Sequence, residues 1–266
     1  MNNKAIGIFD SGIGGLTVYK ALKEKMPDEK MIYLGDTARL PYGSKSAETI
    51  IKFSEDNAFF LLDRDVKIIV VACNSSSSYA VPNLQDKLDI PVLGVIEPGA
   101  EAAVKWSKGC IGVIGTTATI SSKAYDRAIL EKDANANIIA KDCPLFVPLV
   151  EEGWLQHPVT RLVIEEYLLP LKEQGIDSLV LGCTHYPVLK NSITDVLGKD
   201  IKLIDSAEVV TEKVYSILKS LGWLRQGRSV GVQEDEFYVT DFPERFKKVG
   251  EIFLNRKIEK VTAVSI

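Results

Sequence analysis

Residues 179–187 read LVLGCTHYP. An apolar, β-branched run and a glycine deliver a cysteine, a threonine and a histidine to one point, in a chain that has only four cysteines and two histidines. A short apolar run closed by glycine and polar residues reads as a strand buried on both faces, the kind used in parallel sheets. A second stretch repeats the design: VKIIVVACN, residues 66–74, ends at Cys73 and runs into serines. The two cysteines lie 110 residues apart (73 to 183), and IGIFDSG at Ile6–Gly12 resembles IGVIGTT at Ile111–Thr117, 105 residues on. IPVLGVIEP and IKLIDSAE follow the two cysteine strands at similar distance. Like elements in like order predict two related α/β halves, with the strand ends of both facing one cleft, where such sheets place ligands.

The rest of the chain supports that class. AIGIFD, KMIYLGD, IPVLGVIEP, CIGVIGTTAT, a weaker ANIIAKDCP and DIKLIDS read as further strands. GLTVYKALKEKM, SAETIIKFSEDNAFFLLDRD and RLVIEEYLLPLKEQG carry apolar residues at helical spacing between them. EFYVTD, PERFKKVGEIFL and KIEKVTAV close the chain as strand, helix and strand. The expected fold is α/β: two pseudo-symmetric α/β domains with mainly parallel sheets and the active site in the interdomain cleft.

With 266 residues, 46% hydrophobic and 26% charged, the composition is that of an ordinary globular protein. A net charge of -4 argues against nucleic acid or an anionic membrane as partner, because both call for a basic excess. No basic-then-apolar leader opens the sequence and no uncharged run approaches ~18 residues, so a soluble, cytoplasmic protein is expected. In that compartment the cysteines are expected as free thiols, and no CxxC pair suggests structural zinc.

Several motifs gather at the predicted strand ends. FDSGIGG, Phe9–Gly15, opens a helix after a strand; it offers backbone donors to an anion, or merely a cap from Asp10 or Ser11. Cys73 precedes Asn74, Ser75 and Ser76, a cluster able to hold a carboxylate beside a helix N-terminus that favours thiolate. A buried core cysteine is the plainer reading of such a residue, but two in equivalent positions weigh against it. His185 stands where it can orient Cys183 or take its proton. His157 lacks such a neighbour and reads as structural or exposed, and Cys110, at the start of a strand, and Cys143, in a loop before proline, read as structural. LPYG supplies Tyr42 and Gly43, GTTAT supplies Thr116, and PLVEEG sends out Glu151 and Glu152. Two thiols facing each other across a small anionic ligand would serve as base and acid on opposite faces of one carbon, inverting it. A Cys73–Cys183–His185 zinc site and a non-catalytic carboxylate-binding protein are the rival readings.

In order, FDSGIGG, LPYG, ACN, GTTAT, PLVEEG and GCTHYP resemble the motif set of the cofactor-independent glutamate racemases of the aspartate/glutamate racemase superfamily. The resemblance runs from Ile6 to about Ser206, and FYVTDFPERFKKVGEIFL, residues 237–254, is similar to the family's C-terminal segment. It implies two domains, residues 1–97 with 208–266 and residues 98–207. It also implies interconversion of L- and D-glutamate for peptidoglycan with no cofactor and no metal, aspartate or another small carboxylate being the alternative substrate. By the same carry-over Cys73 acts on the D-enantiomer and Cys183 on the L-enantiomer, with Asp10 assisting the first and Glu151 and His185 the second. Substrate contacts fall to Asp10, Ser11, Tyr42, Gly43, Asn74, Ser75, Thr116, Thr184 and His185. The family usually carries threonine where this chain has Ser75. The surface helices show no distinctive apolar stripe, so a homodimer stays open as the partner reading.

Overall fold

The computed structural model describes residues 3–225 and 235–266, so residues 226–234 of the first expected domain lie outside the described residues. Among these, two sheets form, and every strand pairing in both is parallel. The first contains β1 (Ala5–Asp10), β2 (Met31–Gly35), β3 (Val66–Val71) and β4 (Val92–Gly94). The second contains β5 (Cys110–Gly115), β6 (Asn137–Asp142), β7 (Ser178–Gly182) and β8 (Lys202–Asp205). The last two strands, β9 (Glu236–Val239) and β10 (Thr262–Ala263), return to the first sheet.

Strand order states the internal repeat directly. The first sheet runs β10-β9-β2-β1-β3-β4 and the second β6-β5-β7-β8. The block β2-β1-β3-β4 therefore matches β6-β5-β7-β8 position for position, with the Cys73 strand β3 opposite the Cys183 strand β7. The α/β class with two mainly parallel sheets is as expected. β1, β2, β3 and β7 are buried at every position, which is why their sequences show no alternation. β6 lies at an edge and is half exposed, and its pattern was correspondingly faint.

Two boundaries differ from the sequence reading. IPVLGVIEP is strand only to Gly94; a helix starts at Ile96 and runs to Trp106, with Pro98 tolerated in its first turn. KIEKVTAV pairs through Thr262 and Ala263 alone, both exposed at the sheet edge.

One apolar core links the two sheets: Ile8, Tyr33 and Val70 belong to the same cluster as Ile114, Phe146, Leu181 and Tyr186. The helix Ser206–Ser220 packs on both Leu16–Lys25 and Ile96–Trp106, tying the halves together. The helix Pro243–Leu254 lies over the first sheet, with Phe246 5.7 Å from the ring of Tyr33. No helix among the described residues is long and apolar enough to cross a membrane.

Candidate active site

Parallel strands end at one rim, and each end here leads into a tight turn or a helix start. Asp10 closes β1, Cys73 caps the helix Asn74–Tyr79 after β3, Thr116 caps Thr117–Ser121 after β5, and Cys183 follows β7. Between these ends lies a cavity of about 380 Å³, within the range of a small-molecule site. Eleven of the twelve expected site residues line it: Ser11, Tyr42, Gly43, Cys73, Asn74, Ser75, Thr116, Glu151, Cys183, Thr184 and His185. The twelfth, Asp10, lies beneath the wall.

On the Cys183 side a chain of contacts reaches the thiol. Cys183 Sγ is 3.9 Å from His185 Nδ1, and His185 Nε2 is 3.1 Å from Glu151 Oε1. Burial pulls the imidazolium down, but the Cys183 sulfur and the Glu151 carboxylate outweigh it and raise the His185 pKa to about 10. Burial likewise pushes the Glu151 carboxyl up, yet His185 and then Arg245 hold it below its ordinary value. Glu151 faces the cavity, whereas its neighbour Glu152 is exposed to solvent.

Among the described residues no such cation acts on Cys73. Burial and then the Asp10 carboxylate push the Cys73 thiol up to about 11, against donation from the Ser76 backbone N–H and the Ser11 hydroxyl. Asp10 is wholly buried; Gly12 N donates to Oδ2 at 3.0 Å and Thr184 Oγ1 to Oδ1 at 3.4 Å. Desolvation raises the Asp10 carboxyl despite His185 and these donors. Asp10 thus works on the cavity through Thr184 and through its field on Cys73.

Between the thiols the wall is made of donors. Tyr125 donates to Asn74 Oδ1 at 2.8 Å, and Asn74 Nδ2 is buried with no partner among the described residues. Ser75 Oγ and Thr116 Oγ1 are 2.9 Å apart, joining the two halves across the cavity. A Cβ on Gly43 would come within 2.7 Å of Thr116, so glycine is what lets the loop after β2 close on the second half. Tyr42 presents its ring only: its hydroxyl donates to buried Asp36 and accepts from Asn57. Among the described residues no three His, Cys, Asp or Glu side chains come together as metal ligands.

Residues 6–214 match the sequence profile of the family described as Asp/Glu/Hydantoin racemase. The chain belongs to that family. It is 49% identical to a glutamate racemase from Geobacter metallireducens, over 99% of this chain and 97% of the relative. The glutamate racemase isoform of Bacillus anthracis superposes with a TM-score of 0.94 at 37% identity, covering 100% of this chain and 99% of that one. A Francisella tularensis glutamate racemase solved with D-glutamate gives 0.93 at 42% identity, covering 100% and 98%. The family makes the chain an amino-acid racemase by class, an isomerase.

Sequence reasoning missed four residues of this racemase-family site. Arg245 reaches Glu151 from a helix nearly a hundred residues away, and Phe253 packs edge-on against His185 at 5.5 Å. Tyr125 fixes Asn74, and Asp36 takes the Tyr42 hydroxyl. None carries a local motif; each is brought in by tertiary packing. His157 is exposed, capping the helix Pro158–Glu173 and stacking on Trp154. Cys143 is buried in the core and Cys110 begins β5.

Proposed function

We propose that this protein is a glutamate racemase in which one thiolate removes the α-proton and the opposed thiol delivers another to the other face of the carbon, without a cofactor. The observation that carries the reading is the position of Cys73 and Cys183 on equivalent strands of a repeated fold, both lining one small, donor-rich cavity. Relatives of this identity named glutamate racemases, one with D-glutamate bound, support the substrate. On this reading residues 1–97 with 208–266 and residues 98–207 form the two domains around the cleft, and the cytoplasm and peptidoglycan precursor supply are its setting.

With L-glutamate bound, Cys183 thiolate takes the α-proton, a C–H bond breaking as an S–H bond forms. The electron pair passes into the α-carbon and its carboxylate. Asn74 Nδ2, Ser75 and Thr116 are the donors placed to stabilise that charge. Cys73 then returns a proton to the opposite face, and D-glutamate leaves. His185, held as a cation by Glu151, balances the charge on the Cys183 sulfur. The Cys73 thiol, kept protonated by burial and the Asp10 carboxylate, is poised to donate. After that turnover Cys183 carries the proton and Cys73 is the thiolate, so the pair is set for the D-to-L direction.

The test follows L- and D-glutamate in D₂O by proton NMR with chiral analysis. The wild type should exchange the α-proton and racemise, whereas Cys73→Ala and Cys183→Ala should each lose at least about 10³-fold in racemisation while staying folded. Near-normal rates in either variant would refute the two-thiol scheme, and exchange with aspartate alone would move the substrate.

A further inference from the structure

Glu151 is held from both sides. His185 Nε2 meets Oε1 at 3.1 Å, and Arg245 Nη2 donates to Oε2, also at 3.1 Å. Arg245 belongs to the helix Pro243–Leu254, whose Phe246 packs on Tyr33 in the first half, whereas Glu151 and His185 belong to the second. The same helix places Phe253 edge-on to the His185 ring, at an interplanar angle of 87°. A carboxylate gripped by one oxygen turns about its terminal torsion; gripped by both, its plane is set and Oε1 is presented to Nε2. The Arg245 side chain is 54% exposed, so the ion pair adds little to stability and orientation is what it contributes.

We propose that Arg245 is a positioning residue for proton transfer at Cys183, acting through Glu151 and His185 across the junction of the two halves. The inference rests on the two-thiol reading. Its consequences are one-sided, because no described contact links Arg245 to the Cys73 wall. Groups facing His185 are Cys183, Glu151 and, through space, Asp10; those facing Glu151 are His185 and Arg245.

The experiment compares pH profiles of kcat and KM for wild type, Arg245→Ala, Arg245→Lys and, as a control on the same helix, Lys247→Ala. Two mechanisms predict opposite signs. If Arg245 acts only as a positive charge, its removal favours protonated His185 and moves the basic limb to higher pH. If it orients Glu151, removal loosens the Glu151–His185 contact, His185 loses its proton more easily, and the basic limb moves to lower pH. We expect the second, with kcat down roughly two- to fivefold, the span an exposed ion pair supports, and KM nearly unchanged.

Racemisation has an equilibrium constant of unity, so kcat/KM must fall equally for both enantiomers. The isotope effect need not: with α-deuterated substrates it should rise for L-glutamate and fall for D-glutamate in Arg245→Ala. Arg245→Lys should recover part of kcat but not the two-oxygen grip. A basic limb that stays or moves upward, or isotope effects that move together, would overturn the inference. Wild type inactive on glutamate in the same assay would instead sink the reading beneath it.

Discussion

Asp10 has no exposed surface, yet its carboxyl meets the Gly12 and Gly15 backbone N–H groups, the Thr184 hydroxyl and the field of His185. Burial raises its pKa above the usual 3.8, so the sign of its effect follows. Its contribution to folding is complete below the ordinary value and is lost as pH rises through the higher folded value. Above the ordinary value this burial penalty weakens the fold. Asp10→Asn should therefore raise the melting temperature at pH 8 and have no such benefit near pH 3. An amide can still accept from Gly12 and face Thr184, so the fold has no reason to change. Racemisation should fall by about 10²–10³-fold, as expected when a proton-handling group is removed. Scanning calorimetry at the two pH values, with the D₂O assay, checks both halves; a destabilised but active variant would remove Asp10 from the proposed chemistry.

At the scale of elements, the turn after β1 and the turn after β7 are built against one another. A Cβ on Gly14 would lie 2.3 Å from Thr184 Oγ1 and 2.4 Å from His185 Nδ1. Thr17 Oγ1, one turn further, donates to Thr184 O at 3.1 Å. The glycines of FDSGIGG serve here for close approach of backbone to the Cys-Thr-His turn, beyond any help they give to a bound anion. Gly14→Ala must displace the His185 ring or the turn. It should cost roughly 1–3 kcal/mol in stability, as overpacking does, and drop kcat far more than KM. Denaturant melts with steady-state kinetics decide it; unchanged kcat would show that His185 position does not limit turnover. The sequence named this turn as a site, but on the grounds of its backbone donors. Its contact with residues 184 and 185 was invisible because it spans about 170 positions.

For the whole molecule, the cavity exists only where two sheets meet, with Ser11, Cys73 and Ser75 from one and Thr116, Glu151 and Cys183 from the other. A ligand there binds both halves at once and is absent from the unfolded chain, so binding adds to global stability. At a hundred times its dissociation constant, either enantiomer of glutamate should stabilise the protein by about 2.7 kcal/mol. Thermal shift measurements should show L- and D-glutamate acting alike in Cys73→Ala, where no turnover mixes them. A shift with one enantiomer alone would argue against a site built on near mirror symmetry.

The order of elements, the parallel class, the repeat and the cavity-lining residues were all legible in the chain. Hydrophobic runs report burial on both faces, and turn residues mark strand ends, which in a parallel sheet share one rim. The twin cysteine strands even anticipated the matched sheet orders. What the sequence could not carry was the charge state and aim of those residues. Burial and the Asp10 carboxylate hold the Cys73 thiol protonated, and His185, Glu151 and Arg245 stand in line behind Cys183. Tyr42 lines the site yet gives its hydroxyl to Asp36. Those facts arise from desolvation and from contacts between residues far apart in the chain, and only the tertiary structure decides them.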